Sequence, residues 1–352
     1  MNKALYFMPD ISGFTGFVND TEIEHSIHII AELLELLIDA ADNDMELVEI
    51  EGDALFFYSD KIPTYQDLME KVNKMMVAFH THTKTYNNMR ICDCGSCRTT
   101  THLQLKFVVH YGELMFIKVK NFIKPYGRAV IKTHRLLKND IPLKEYLLIT
   151  EDVMQLYHGN AASDWQTKTE QYDFGDIRYL YKSLEHIAPS ITVIPKEDFK
   201  DVKDADVIIH KLMHADADRI YKVLSDLSYR HLWDKDAKRI EYDSNKINRS
   251  GFEHNCVLNT GSLKLQTLGE RKPDTYVFGE RTTDMMFTKE FMYLINLDKV
   301  DEKTTSLTLS FFITWTKIGH MMKNTMLTKV KKIWNQKLET IEELLSTDTL
   351  LH

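Results

Sequence analysis

Cysteine is scarce in this chain, and long apolar runs are missing from it. Only four of the 352 residues are cysteine, and three of these lie within six positions, which differs from the disulfide framework of a secreted protein. The sequence has no run of about eighteen apolar residues, the length that a membrane-spanning helix requires. The first residues also lack a signal-peptide profile. These absences predict a cytoplasmic protein without a membrane span.

An excess of positive charge is also missing. Lysine and arginine number 44 against 52 aspartates and glutamates, which gives a formal net charge of −8. Because binding to nucleic acid depends on clustered basic side chains that neutralise phosphates, the sequence predicts no nucleic-acid partner. Hydrophobic residues make up 43% and charged residues 27%, as is typical of a globular protein with substantial cores. A length of 352 residues favours two domains.

Strand-like and helix-like segments alternate in the first half of the chain. Apolar runs predict strands at 4–8, 46–50, 54–58, 103–110, 114–119 and 146–150. Helical spacing of apolar residues predicts helices at 21–41, 65–86 and 128–137. We interpret Tyr111-Gly112-Glu113 as the turn of a hairpin between 103–110 and 114–119. The order β-α-β-β-α-β predicts an α+β sandwich of the ferredoxin-like type.

The second half of the chain has a different pattern. A strand at 207–213 precedes a short helix, several strands between 257 and 315, and a long helix at 319–345. This order resembles the START-like (SRPBCC) helix-grip fold, in which a curved antiparallel sheet surrounds a long C-terminal helix. The resemblance rests on topology over residues 205–345 and implies a cavity for an apolar small molecule. Trp233, Trp315 and Trp334 either line such a cavity or fill the core.

A linker separates the two halves. Pro189, Pro195 and the charged stretch 196–204 interrupt the regular patterns. The predicted organisation is therefore a first domain at 1–187, a linker at 188–204 and a second domain at 205–347.

Two aspartates of the first domain stand at the ends of strand-like runs. Asp10 begins the segment Asp10-Ile11-Ser12-Gly13-Phe14-Thr15, and Asp53 ends the segment Val48-Glu49-Ile50-Glu51-Gly52-Asp53. A helix joins the two segments, so both carboxylates can converge on one divalent ion, and Mg²⁺ prefers such oxygen ligands. The plainer interpretation is a turn residue and a strand-end cap.

These two segments resemble the metal-binding half of class III nucleotide cyclases, the adenylyl and guanylyl cyclase catalytic domain. The resemblance implies that Asp10, the backbone carbonyl of Ile11 and Asp53 hold two Mg²⁺ or Mn²⁺ ions against a nucleoside triphosphate. It also implies a homodimer. The ions would polarise the α-phosphate and help to deprotonate the ribose 3′-hydroxyl.

A second segment resembles the part of the cyclase site that orients ribose and phosphate. Gly127-Arg128-Ala129-Val130-Ile131-Lys132-Thr133-His134-Arg135 matches a family pattern in which an asparagine orients the ribose and an arginine stabilises developing charge. Arg135 stands at the arginine position and, in a homodimer, would act from the partner. Ile131 stands at the asparagine position and offers no hydrogen bond. The alternative is that Arg135 is a surface residue of a helix.

The residues at the base-reading and phosphate positions depart from the family. Glu49 and Lys124 stand at the two base-reading positions, and a Glu/Lys pair matches neither purine pattern. They either form an internal ion pair or read another base. Lys182 loosely resembles the phosphate-binding lysine of a late strand.

The cysteine triplet is a separate signal. Cys92, Cys94 and Cys97 could hold a structural zinc ion, which prefers four sulfur or nitrogen ligands, with His80, His82 or His102 as the fourth. Thiols without a metal and a redox pair are the alternatives.

The sequence as a whole predicts a nucleotide cyclase homologue that acts as a metal- and nucleotide-binding signalling or sensor module, with a domain for a small apolar ligand. Two alternatives stay open. One is an active cyclase, a phosphorus–oxygen lyase that makes a cyclic mononucleotide and pyrophosphate. The other is a carrier of lipid or another hydrophobic ligand, which its N-terminal domain dimerises.

Overall fold

The computed structural model describes residues 2–347 except 14–16, 18–22, 43, 93, 158–163, 174, 194–198, 244–245, 260 and 273–274. The side chains of residues 23, 24, 272 and 275 also lie outside the described set. The predicted motif positions Phe14 and Thr15, and Pro195 of the predicted linker, therefore fall outside it. The chain divides into two compact units, the first made of residues 1–87 and 98–194 and the second of residues 88–97 and 195–352.

The first unit is built on a seven-stranded mixed sheet. Its strands, in chain order, are β1 (Lys3–Ser12), β2 (Glu46–Glu51), β3 (Ala54–Ser59), β4 (Gln104–Glu113), β7 (Tyr146–Thr150), β8 (Gln166–Tyr172) and β9 (Gly175–Ser183). The spatial order is β2-β3-β1-β4-β7-β9-β8. The β4–β7 pair is parallel, and the other pairs are antiparallel. Residues 4–8 of β1 are fully buried, as expected for a central strand that is covered on both faces.

The helices of this part of the chain are α1 (Ile23–Ala40), α2 (Tyr65–Met89), α3 (Gly95–Thr99), α4 (Arg128–Leu136), α5 (Glu151–Leu156) and α6 (Ile187–Ser190). Residues 88–89 of α2 and 95–97 of α3 belong to the second unit. In α1, Ile30, Leu33, Leu34 and Leu37 are buried at helical spacing. The fold is thus mixed α+β, and the predicted strand–helix order holds through β3 and α2.

The predicted hairpin at Tyr111-Gly112-Glu113 is wrong. These residues continue β4, which pairs with β1 along its whole length, from Lys3 opposite Glu113 to Ser12 opposite Gln104. The strand that follows, β5 (Met115–Val119), pairs instead with β6 (Phe122–Tyr126) as a separate two-stranded ribbon. The turn predicted from the local sequence does not form, because continued pairing of β4 with β1 satisfies more backbone hydrogen-bonding groups than a turn would.

The second unit is a seven-stranded antiparallel sheet. It comprises β10 (Val207–Met213), β11 (Ala237–Glu241), β12 (Glu253–Leu258), β13 (Gly261–Lys272), β14 (Thr275–Thr282), β15 (Thr288–Asp301) and β16 (Thr304–Trp315). The spatial order is β10-β16-β15-β14-β13-β12-β11. Two short helices, α7 (Ala217–Ser225) and α8 (Arg230–Trp233), follow β10.

The long C-terminal helix of the second unit is α9 (Lys317–Ser346), which confirms the helix expected at 319–345. Its N-terminus is capped by the hydroxyl of Thr316, which accepts the backbone N–H of Gly319 at 3.0 Å. Trp334, Leu338 and Ile341 of α9 are buried in the core that this unit forms with its sheet. Among the described residues, no helix is long and apolar enough to cross a membrane.

Candidate functional site

Asp10 and Asp53 meet at one end of the β1–β3 pair. Asp10 lies in β1 opposite Ala54 of β3, and Asp53 lies in the turn between β2 and β3. The backbone N–H of Ile11 donates to the carbonyl oxygen of Asp53 at 3.0 Å. Burial, and then the charge of Asp10, raise the pKa of Asp53. The two carboxylates are therefore close enough to interact electrostatically.

Gly52 makes this approach possible. Its φ of +65° lies in the left-handed region, which glycine adopts without steric cost. The tight turn from Glu51 to Ala54 returns the chain into β3 and places Asp53 next to β1. A side chain at position 52 would strain the turn that orients the second carboxylate.

Lys106 of β4 reaches the same corner. Its Nζ lies 2.9 Å from Oδ2 of Asp10, and it donates to the carbonyl oxygen of Leu137 at 3.2 Å. The side chains of Lys106 and Asp10 are only 18% and 13% exposed. Burial lowers the pKa of Lys106, but Asp10, Tyr146 and Asp53 outweigh that effect and raise it overall. A partly buried ammonium group thus contacts Asp10, and its charge also lowers the pKa of Asp53, against the larger effect of burial.

Glu49 and Lys124 form an ion pair. Nζ of Lys124 lies 2.7 Å from Oε2 and 3.1 Å from Oε1 of Glu49. The hydrogen bond from Lys124 lowers the pKa of Glu49. The two residues at the predicted base-reading positions are therefore in contact with each other.

Two neighbours extend this pair into a cluster. One side-chain ligand atom from each of Glu49, Glu51 and His134 lies within 4.8 Å of the others, and Nδ1 of His134 is 3.0 Å from Oε2 of Glu51. Burial and the adjacent Glu49 raise the pKa of Glu51 to about 7. Burial lowers the pKa of His134. The pairing of these groups with one another explains their positions without a ligand.

Arg135 lies on the surface of α4. Its side chain is 52% exposed, and Nη2 is 3.1 Å from Oδ2 of Asp173. Ile131, one turn earlier on the helix, is 50% exposed. Among the described residues of this chain, no contact joins Arg135 to Asp10 or Asp53.

Lys182 of β9 is engaged by Asp164. The distance from its Nζ to Oδ2 of Asp164 is 2.6 Å, and the side chain of Lys182 is 24% exposed. Its position in the sheet, opposite Leu147 of β7, is several strands from the Asp10–Asp53 corner.

Cys92, Cys94 and Cys97 are clustered in the second unit. Their sulfur atoms all lie within 4.8 Å of one another, and all three residues are thiols. The backbone N–H groups of Cys94 and Cys97 lie 3.4 Å from the sulfurs of Cys92 and Cys94, respectively. Hydrogen bonds with Cys92 and Cys94 raise the pKa of the Cys97 thiol. Three sulfur donors within six residues suit a metal that prefers thiolate.

His80, one of the expected fourth ligands, has a different role. It is buried, and its Nε2 lies 2.8 Å from Oε1 of Glu145 in the first unit. The same Glu145 oxygen accepts the backbone N–H of Leu105. His80 therefore contributes to the first core.

The second unit contains a cavity of about 200 Å³ between its sheet and α9. Trp334 lines this cavity, whereas Trp233 is buried in the core and donates its indole N–H to the carbonyl of Val223 at 3.0 Å. Trp315 packs against the same core from a partly buried position. Trp334 thus lines the cavity and also fills the core, whereas Trp233 and Trp315 contribute to the core alone.

Sequence reasoning missed Lys106, Glu51 and His134. Lys106 carries a signal, because it is a charged residue within the apolar run of residues 103–110. Its pairing with Asp10 depends on the β1–β4 register, which joins residues almost a hundred positions apart. Glu51 and His134 give no comparable signal.

Comparison with known proteins relates parts of the chain to other sequences. Residues 30–146 match a family described as "Protein of unknown function (DUF2652)". The uncharacterized protein Rv2561/Rv2562 of Mycobacterium tuberculosis is 40% identical over 126 residues, which are 36% of this chain and 59% of that protein. This chain thus matches less than two thirds of the length of that curated relative.

Solved structures similar to about half of the chain are catalytic domains of nucleotide cyclases. The core of a rhodopsin-guanylyl cyclase in complex with ATPalphaS is 15% identical, with a TM-score of 0.39, over 51% of this chain and 94% of that one. The guanylate cyclase domain from Catenaria anguillulae in complex with GTP is 13% identical, with a TM-score of 0.37, over 51% and 95%. The adenylyl cyclase CyaB from P. aeruginosa is 15% identical, with a TM-score of 0.36, over 51% and 93%.

Proposed function

We propose that the first unit binds a complex of a divalent metal ion and a nucleoside triphosphate, as a signalling module of the nucleotide cyclase type that makes no cyclic product. The metal, Mg²⁺ or Mn²⁺, is assigned to Asp10, Asp53 and the backbone carbonyl of Ile11. The observation that carries this proposal is the hydrogen bond from Ile11 to Asp53, which fixes both aspartates at one corner of the sheet.

The donor set fits a hard cation. Carboxylate and carbonyl oxygens are the ligands that Mg²⁺ takes from proteins, together with phosphate oxygens of a substrate. Lys106 already contributes one positive charge beside Asp10. Because like charges repel at short distance, this ammonium favours one divalent ion over the two that the resemblance implies. A bound ion would supply charge neutralisation for the phosphates.

The ion pair of Glu49 and Lys124 defines the proposed nucleotide-base side of the site. Each group satisfies the other, so a base must compete with that pairing for hydrogen bonds. Glu49 and Lys124 are 29% and 51% exposed, which leaves the pair open to exchange with a ligand. Base selectivity is therefore expected to be weak.

Three features support the loss of turnover. Ile131 cannot orient a ribose hydroxyl, and its exposed side chain presents an apolar surface instead. Arg135 forms an exposed ion pair with Asp173, which competes with phosphate for its guanidinium group. Lys182 has a carboxylate partner as well.

A homodimer is part of the proposal. The β5–β6 ribbon exposes a row of large apolar side chains, namely Met115, Phe116, Val119, Phe122, Ile123 and Tyr126. Phe122 is 80% exposed. Apolar patches of this kind mark interaction surfaces in soluble proteins. We assign this surface to contact with a second copy of the chain.

The second unit is proposed to be the START-like ligand-binding domain of this module. Its support is the cavity between sheet and α9, with Trp334 in the wall. The same cavity favours the alternative function, a carrier of hydrophobic ligands that the first unit merely dimerises.

Binding of each of the four nucleoside triphosphates with Mn²⁺, measured by calorimetry on the full chain, tests the proposal. Mass spectrometry of the same mixtures detects cyclic products. We expect Mn²⁺-dependent binding that Asp10→Asn and Asp53→Asn abolish, and no cyclic product. Asp60→Asn, at an exposed position of the same unit, is the matched control. Rapid formation of cyclic product would establish an active cyclase, and lack of nucleotide binding would favour the carrier.

A further inference from the structure

The cavity of the second unit combines apolar walls with a charged inner end. Leu263, Leu265, Phe291, Val330 and Ile333 are among the apolar lining residues. Arg230, Asp234, Glu280 and Lys337 also line it, and the first three of these are at most 3% exposed. Buried charges on this scale are costly unless each is matched. The cavity is therefore not the uniformly apolar site that the resemblance implies.

The four charges are arranged as linked ion pairs. Arg230 is paired with Glu280, whose Oε2 accepts the hydroxyl of Tyr293 at 2.7 Å. Lys337 Nζ lies 2.8 Å from Oδ2 of Asp234, and Nη1 of Arg230 lies 3.8 Å from the same oxygen. Two cations thus face two anions in these pairs, and the fifth charged lining residue, Asp236, is exposed and belongs to neither pair. His254, which approaches Glu280 at 3.2 Å, is outside the cavity lining.

Two polar atoms of this network have no hydrogen-bond partner among the described residues. They are Nε of Arg230, a donor, and Oδ1 of Asp234, an acceptor. Leaving buried polar atoms unpaired carries a free-energy cost that a ligand can remove. A group that both donates and accepts has the hydrogen-bonding chemistry that these two atoms lack.

We infer, on the basis of the proposed role of the second unit as a ligand-binding domain, that the cavity binds a small neutral molecule with an apolar body and one head group that donates and accepts hydrogen bonds. A primary amide has this chemistry, since its N–H₂ can donate to Asp234 and its carbonyl can accept from Arg230. An ionised head group would leave a buried charge unmatched, because the two pairs are already balanced.

The volume sets the size of the ligand. At roughly 30 Å³ per water-sized group, 200 Å³ accommodates about seven such groups. A six-carbon chain with one polar head is therefore the appropriate probe.

Titration of the full chain with hexanamide, hexanoate, hexylammonium and methyl hexanoate tests the inference, with calorimetry and ligand-detected NMR as readouts. Hexanamide should bind at least about tenfold more tightly than either charged probe, because a buried charge without a partner is unfavourable. Methyl hexanoate, which accepts but does not donate, should lie between them.

Two test variants and one control give the test its specificity. Asp234→Asn removes one negative charge with little change of shape, so the preference should shift from hexanamide towards hexanoate. Asp298→Asn, at an exposed position of the second unit that is not among the lining residues, is the matched control and should leave the order unchanged. Val330→Phe should weaken binding of all four probes by filling the cavity, and thermal unfolding verifies that each variant is folded.

Equal or tighter binding of hexanoate or hexylammonium by the unmodified chain would overturn the neutral-ligand inference while keeping the ligand-binding role of the second unit. Lack of saturable binding of every probe would overturn both. Nucleotide binding by the first unit is measured separately and is unaffected by either result.

Discussion

The ammonium group of Lys106 lies 2.9 Å from the carboxylate of Asp10, at the corner where Asp53 joins the same strand. The lysine is thus a built-in cation at the proposed metal site. It neutralises the charge of Asp10 as a bound ion would, and it competes with that ion for Asp10.

Replacement of Lys106 is expected to strengthen metal binding. Lys106→Gln removes the competing charge, so Mn²⁺ affinity should rise about tenfold or more. The variant should also lower the stability of the first unit, because the carboxylates of Asp10 and Asp53 then repel each other without a neighbouring cation. Calorimetric titration with Mn²⁺ alone measures the affinity. Lys74→Gln, which removes an exposed lysine of the same unit, is the control and should have no effect. Unchanged affinity in Lys106→Gln would show that Asp10 is not a metal ligand.

Turnover depends on two positions of α4. Ile131→Asn combined with Asp173→Ala restores a ribose donor and releases Arg135 from its ion pair. Because one oriented donor is worth about 10²–10³ in rate, any residual cyclic product should increase by that order. Mass spectrometry after incubation with Mn²⁺ and nucleotide measures it. If the double variant and the unmodified chain give the same rate, the alignment of α4 with the cyclase pattern is incorrect.

The cysteine cluster is expected to hold zinc. Purified protein should carry about one zinc ion per chain, and a chelator should lower the unfolding temperature. Metal analysis and thermal unfolding provide the measurements. Cys92→Ser with Cys94→Ser should abolish the zinc, whereas Cys256→Ser, at a buried position elsewhere in the second unit, should retain it. Stoichiometric zinc in the double variant would contradict the assignment.

The β5–β6 ribbon is expected to mediate the homodimer. Phe122→Ser removes its most exposed aromatic side chain and should raise the dimer dissociation constant by about tenfold or more, since aromatic residues supply much of the affinity of interfaces. Light scattering over a concentration series measures the mass. Lys118→Ser, on the same ribbon, controls for the loss of an exposed side chain. A chain that stays monomeric before any substitution would refute the dimer itself.

The stability of the second unit should fall in acid. Burial would raise the pKa of Glu280, but Arg230, His254 and Tyr293 outweigh it and lower that pKa from 4.5 to about 2. A carboxyl with a depressed pKa stabilises the folded state above its unfolded value, and this contribution is lost as the pH falls from about 4.5 to about 2. Denaturant unfolding, followed by tryptophan fluorescence at a series of pH values, measures the loss.

Glu280→Gln separates this group from the rest of the acid response. The variant should be less stable at neutral pH, because Arg230 loses its anionic partner, and its stability should fall less steeply between pH 4.5 and 2. Glu302→Gln, at an exposed turn, should follow the unmodified chain. Parallel pH profiles for all three proteins would assign the acid response to other groups.

Local patterns account for what the sequence could predict. The apolar run before Asp10 and the turn at Gly52-Asp53 are readable because strand ends and glycine turns depend on neighbouring residues. The same reasoning failed at residues 111–113, where pairing with β1 extended β4 past a turn-like segment. The α+β class followed from element order alone.

Long-range contacts account for what could not be predicted. The partner of Asp10 comes from β4, and the charged end of the cavity joins α8, β14 and α9. Each of these contacts depends on strand register and helix placement. In the sequence, Arg230 and Glu280 have the appearance of ordinary surface residues, although both are almost fully buried.

The short segment 88–97 makes the folding of the second unit depend on residues that are translated within the first unit. It belongs to the second unit, although the chain on both sides of it belongs to the first. The carbonyl of Met89 accepts the backbone N–H of Ser250, and Ile91 is buried in the core that also contains Phe278 and Trp334. During translation, the residues that pack against this segment are made much later than the segment itself. Contacts between residues so distant in sequence form slowly, so the core of the second unit is expected to form late. Expression of residues 195–352 alone would therefore omit a piece of that unit's own core, and an insertion into 88–97 would damage the unit that is translated last.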